Sequence, residues 1–259
     1  MTTDKQIDAD ADRVAGQAPP SARRPLDRER IVAAAIDFIA EHGLPGLTMR
    51  RLGDRLGVEA MSLYRYVPGK EDLLDAVVDT LVERMQADPE VLAAPEHGWQ
   101  DFLQRLAHGV RRVALHDPKA FPLVASRPAE APWLRPPLRS LDWVESFLGG
   151  MVAEGFSTEA AVRAYRAFTS FLLGQLLLEV ASLGADLGPL DVLDDGSVDA
   201  DSVQRHPLVH SLRRSLSEDR SAQEFDEALE TLIDRMSLLR AEGRSEGDHP
   251  DDLPDDLPS

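Results

Sequence analysis

Apolar residues recur at helical spacing along most of this chain, and clusters of proline, glycine and acid interrupt them. From Asp27 the series Ile31, Ala34, Ala35, Phe38 and Ile39 marks one buried helical stripe, stopped by Gly43 with Pro45 and Gly46 beyond. Thr48 then offers a side-chain oxygen to the free N–H groups of a second helix. Its apolar positions are Leu52 and Leu56, it carries Arg50, Arg51 and Arg55, and Gly57 is its left-handed stop. After the break at Gly57, Val58 and Glu59, a third short helix is expected over Ala60–Tyr66, ending at Val67, Pro68 and Gly69. Two short helices joined by a tight glycine-containing turn are the helix-turn-helix geometry that offers a helix to the major groove.

The same period continues downstream. Lys70 to Gln86 carries Leu73, Leu74, Val77, Val78, Leu81 and Met85, a fourth helix that leaves the first unit and enters the next as a lever. A long helix follows from Trp99 to Asp117-Pro118, then a short turn from Ala120 to Ser126 closed by Arg127-Pro128. A helix through Leu141 to Met151 comes after the prolines at Pro132, Pro136 and Pro137. Thr158 to Leu183 is hydrophobic nearly all round, so it must be buried on more than one side, one of which a second subunit would cover. Residues 184–204 read as a loop, and helices over Pro207–Leu216 and Ala222–Arg240 complete the fold. The expected class is all-α: a polar disordered start (1–22), a three-helix DNA-binding domain (23–72), a larger helical ligand-binding and dimerisation domain (73–241) and a disordered acidic end (242–259).

Charge separates this reading from an ordinary helical hairpin. Residues 23–70 hold nine Arg plus Lys against six Asp plus Glu, a net of +3, while the whole chain stands at −18. A locally positive unit in an acidic protein is what phosphate contact requires. Arg23, Arg24, Arg28 and Arg30 sit where the tail meets the first helix, either as a solvated helix start or as an arm adding phosphate or minor-groove contact. With no cysteine, no apolar run long enough for a signal peptide and no stretch near 18 apolar residues, a cytoplasmic protein without membrane contact is expected.

LTMRRLGDRLGVEAMSLYRYVPGKEDLLDAVV resembles the N-terminal domain of tetracycline-repressor (TetR) family regulators, and WQDFLQRL, HDPKAF, SRP and EGF extend a weaker likeness to the ligand-binding domain of the tetracycline repressors themselves. The resemblance implies phosphate contacts from the positions matching Thr48, Tyr64, Tyr66 and Lys70, and base contacts from those matching Arg50, Ala60, Met61, Ser62 and Arg65. Arg50 is the candidate for a bidentate contact to guanine. Ala60 and Met61 stand where the tetracycline repressors have a polar base-reading residue and a proline, so a different operator is expected, with apolar contact to thymine methyls. The family dimerises through a four-helix bundle, which the Thr158–Leu183 helix and the last helix would supply. The partners implied are a palindromic double-stranded operator, a second copy of the chain and a small effector.

The second domain suggests a mostly apolar pocket among the fourth to eighth helices. By resemblance, the positions holding drug and magnesium match Gln86, Leu106, Leu123 and Phe147, three of them apolar, which favours a greasy effector over a magnesium-bound one. Val110, Ser126, Arg127, Phe171 and Gln175 are expected neighbours. His206 and His210 share a helix face without a third ligand, so neither a metal nor another cofactor is expected. No nucleophile elbow or glycine-rich phosphate loop appears, so an enzyme has nothing to rest on. An activator, or a regulator needing its ligand as corepressor, would share all these residues; a helical protein-interaction module would keep the helices without binding DNA.

Overall fold

The computed structural model describes residues 25–87, 91, 97–127, 133–136, 140–187 and 205–246, and among them every regular element is helical. The tail expected over 1–22, with Arg23 and Arg24, lies outside the described residues, as do most of the 184–204 loop and the end of the chain from 247.

Helix α1 (Arg28–His42) begins where Asp27 Oδ1 accepts the Arg30 N–H at 2.7 Å, and it stops at Gly43, whose φ is 75°. A 3-10 turn over Leu44–Gly46 leads to α2 (Met49–Leu56), capped by Thr48 Oγ1 accepting the Arg51 N–H at 3.2 Å. Gly57 closes α2 in the left-handed region, at φ 69° and ψ 34°. Gly53 brings α2 against the turn that follows: a Cβ there would stand 2.9 Å from the Val58 carbonyl oxygen and 3.2 Å from the Ala60 nitrogen.

Helix α3 is shorter than its spacing predicts, a single turn over Ala60–Leu63 with Tyr64–Tyr66 in turn conformation. The Tyr66 and Val67 N–H groups both donate to the Leu63 carbonyl, at 2.9 and 3.0 Å, ending the helix. Pro68 supplies the reason, since the residue before a proline is driven out of helical conformation.

Helix α4 (Lys70–Ala87) packs on α1 with one side and on α5 (Trp99–His116) and α6 (Pro122–Ser126) with others. Leu73, Ala76, Val77, Val78 and Leu81 are almost wholly buried, so one hydrophobic core runs through α4 from the first unit into the second. The remainder comprises α7 (Leu141–Ala153), α8 (Thr158–Ser182), α9 (Pro207–Leu216) and α10 (Ser221–Glu246). Helix α8 is the hub, touching α5, α7 and α10. No helix among the described residues is long and apolar enough to cross a membrane.

Two further features depart from the expected pattern. Helix α10 continues to Glu246, past both the Arg240 end and the domain boundary at 241, because one interior glycine costs only about 1 kcal/mol and does not break a long helix. Helix α9 buries nothing: Leu208, Val209, Leu212 and Leu216 are all exposed. A ten-residue helix is marginal by itself in water.

Candidate nucleic-acid interface and ligand cavity

The three short helices are held from within by Ile31, Ile39, Leu47, Leu52, Leu63 and Val67, each at most 1% exposed. What faces outward is therefore decided by that core. Thr48 and Arg50 stand exposed at the start of α2, Arg65 in the turn after α3, and Ala60, Ser62 and Lys70 are half-buried between them. Met61, Tyr64 and Tyr66 are 72%, 42% and 40% exposed, three large side chains in solvent within six positions. All nine residues expected at a DNA contact thus lie on the beginning of α2, on α3 with its following turn, and at the beginning of α4.

The arginines of α2 divide in a way their spacing does not reveal. Arg51 donates to the Gly46 carbonyl at 2.8 Å and lies over the Phe38 ring, 4.8 Å from its centroid. Arg55 forks onto Glu41 of α1 at 2.6 and 2.7 Å. The hydrogen bond from Arg55 holds the Glu41 carboxyl below the usual glutamate range, and burial only partly opposes it. Arg28, Arg50 and Arg65, by contrast, make no hydrogen bond or ion pair with another described residue. Thr48 uses an oxygen lone pair as the α2 cap and keeps its O–H free to donate outward.

In the second unit a narrow cavity of about 30 Å³ lies between α4, α5, α6, α7 and α8. Val82, Met85, Val110, Phe121, Val124, Trp143, Phe168, Leu172 and Leu173 line it with Thr169, the one hydroxyl-bearing residue in the wall. Tyr165 sits beside Thr169 and donates to the Pro136 carbonyl at 3.3 Å; burial pushes its phenol above the ordinary tyrosine value, and the Thr169 hydrogen bond opposes this. Among the described residues, no three His, Asp or Glu side chains converge to hold a metal ion.

Of the residues expected around a ligand, Val110 is in the wall. Leu106, Leu123 and Phe147 are buried in the adjoining core, Phe147 against Phe102, Tyr165 and Phe168. Gln86 donates to Ser140 Oγ at 3.4 Å. Phe171 turns to Phe225 of α10, with ring centroids 5.8 Å apart, and Gln175 is half-buried further along α8. Ser126 is exposed beside an open groove that Leu44, Lys70, Leu74 and Leu177 also border. The lining residues that sequence reasoning missed are Thr169 and apolar positions on α4, α6, α7 and α8, and only their packing distinguishes them from ordinary core.

Arg127 is not in the cavity wall. Its side chain, 14% exposed, lies against α4, with Nη1 at 2.5 Å from Glu71 Oε2, and Nε and Nη2 at 2.8 and 2.6 Å from Asp75 Oδ1. Burial alone would lower its pKa, and the two carboxylates more than offset that, so it stands above the usual arginine value. Near the other end of α4, Arg84 donates at 2.5 Å to Asp117, a buried carboxylate at the end of α5.

Comparison with known proteins agrees with this anatomy. Residues 31–77 match the family model of bacterial regulatory proteins of the tetR family, and residues 92–238 match that of the tetracyclin repressor-like C-terminal domain. The class D tetracycline repressor protein of Escherichia coli is 32% identical over 209 residues, covering 80% of this chain and 88% of the relative. A crystal structure of a possible TetR family transcriptional regulator from Streptomyces coelicolor A3(2) superposes with a TM-score of 0.65 at 28% identity, covering 82% of this chain and all of that one. A single-residue variant of TetR from Acinetobacter baumannii AYE, solved in complex with minocycline, superposes with a TM-score of 0.58 at 26% identity, covering 83% of this chain and 99% of that one.

Proposed function

The chain belongs to the tetR family of bacterial regulatory proteins, whose members are transcriptional regulators rather than enzymes, and from that premise we propose that it is a cytoplasmic repressor that binds a palindromic operator as a homodimer and is released by an apolar effector. One observation carries the DNA reading: Arg50 and Arg65, exposed and engaged by no other described residue, stand with the solvent-facing Met61, Tyr64 and Tyr66 on a three-helix unit with a buried core. Free guanidinium groups on a preorganised surface are what bidentate contact to guanine and salt-sensitive contact to phosphate demand. Arg50, Ser62 and Arg65 read base edges, Ala60 and Met61 meet thymine methyls, and Thr48, Tyr64, Tyr66 and Lys70 hold phosphates.

Exposed apolar surface supports the homodimer. Val162 and Leu178 on α8 and Leu238 on α10 are 37%, 70% and 51% exposed although these helices pack on each other, and α9 has no burial within its own chain. A second copy covering these helices would bury them and set two reading units at the half-site spacing that helix-turn-helix dimers require.

The cavity supports an apolar effector by its lining and a conformational response by its size. Drug-sized ligands occupy roughly 300–1,000 Å³, so a cavity of about 30 Å³ must widen to admit one. Val82 and Met85 of α4 form part of its wall, so widening displaces the helix that carries the reading unit. The minocycline complex of the Acinetobacter protein is a ligand bound by a protein of this fold.

Selection from a randomised duplex library at about 150 mM salt, where binding by charge alone is weakened, tests the reading. A two-fold symmetric enriched site is expected, and hydrophobic compounds that widen the cavity should then lower the protein's affinity for it. Recovery of no preferred sequence would overturn the operator, and loss of binding only without an added ligand would reverse the sign of control.

A further inference from the structure

We propose that Arg127 is a positioning residue for DNA recognition: its guanidinium ties the end of α6 to Glu71 and Asp75, and so fixes the start of α4 and the three-helix unit that α4 carries. The inference rests on the DNA-binding reading above and goes beyond it, because Arg127 touches neither the reading surface nor the cavity.

Three observations converge on it. Arg127 is largely buried and spends its whole fork on α4: Nη1 meets Glu71, Nε and Nη2 share Asp75 Oδ1, and Nη2 also reaches the Glu71 carbonyl at 3.4 Å. A planar five-donor group held at several points specifies orientation where a single charge would not. Helix α1 packs on α4, so the reading unit follows α4 wherever it points. Finally, the Arg84–Asp117 pair lies thirteen residues from Glu71, about 20 Å along the helix, so α4 is pinned near both ends to the α5–α6 segment. That segment supplies Phe121 and Val124 to the cavity wall, and Arg127 follows Val124 by one helical turn.

Loosening the clasp would spread α4 over several orientations, and DNA would have to select the competent fraction. Apparent affinity falls in proportion to that fraction, so a state reduced to one molecule in ten weakens binding about ten-fold. The decisive variant is Asp75→Asn. Removing an acid from a protein approaching phosphates should by charge alone strengthen DNA binding, whereas loss of the clasp should weaken it.

The test measures affinity for the operator selected by the full-length protein, for wild type, Asp75→Asn, Arg127→Gln and the double variant, with circular-dichroism melts to confirm that each is folded at the assay temperature. We expect each single change to weaken binding about ten-fold and the double variant to be no worse than either. Arg127→Lys, which keeps the charge but not the fork, should fall between wild type and Arg127→Gln, and operators with altered half-site spacing should be discriminated less sharply by both. Asp75→Asn binding as tightly as wild type or more tightly, or Arg127→Lys matching wild type while folded, would overturn the clasp. If wild type itself enriches no operator, the DNA-binding reading fails first.

Discussion

Arg50 and Arg51 are chemically identical neighbours, yet one is uncommitted in solvent while the other is spent on the Gly46 carbonyl and the Phe38 ring. Arg50→Ala should therefore cost about 1–3 kcal/mol of discrimination at one operator position and leave the melting temperature unchanged. Arg51→Ala should lower the melting temperature and leave base preference intact; competition with singly substituted operators, beside thermal melts, separates the two. Glu41 carries a pH signature. Its folded pKa is depressed by Arg55, so the stability from this α1–α2 tie is present above the ordinary glutamate value and is lost as pH falls through the lower folded value. Glu41→Gln should accordingly be less stable than wild type at neutral pH, and the gap should close in melts run at pH values falling below the ordinary glutamate range.

Between elements, the buried pair of Arg111 on α5 and Glu179 on α8 is the sharpest case, with the carboxylate 7% exposed and Nη2 to Oε1 at 2.5 Å. Arg111→Met would leave a buried charge uncompensated and should cost about 3–5 kcal/mol in urea denaturation, while Arg111→Met with Glu179→Leu should recover most of it. Where α2 meets α3 the constraint is steric. Gly53→Ala drives a methyl to 2.9 Å from the Val58 carbonyl oxygen, so backbone must shift, and a loss of about 1–3 kcal/mol is expected with weakened operator binding. A glycine inside an arginine-rich helix reads as a weak helix former; the close approach that requires it exists only once the two helices are packed.

For the whole molecule, assembly is the open contact. Leu178→Arg with Leu238→Arg places charge on exposed apolar positions of α8 and α10, so it should leave the protomer folded and shift sedimentation velocity from dimer to monomer. Operator affinity should fall with it, since a single reading unit engages only one half-site. A dimer of unchanged stability would move the interface elsewhere, with the uncovered α9 the next surface to alter.

Much of the fold was legible because its signals are local. Thr48 as a cap, Gly43 and Gly57 as stops, and the apolar periods of α4, α5, α7 and α8 depend on neighbours within a few positions, and the observed helices begin and end within a few residues of those marks. The positive charge of the first unit against an acidic chain is likewise readable from composition alone. Tertiary structure decided what depends on partners distant in sequence: which α2 arginines are spent internally, that α3 is one turn, and which buried side chains on five helices surround a cavity. It also turned Arg127 away from that cavity and onto α4, across more than fifty positions of sequence, a contact that no periodicity encodes because it arises only when α6 is laid against α4.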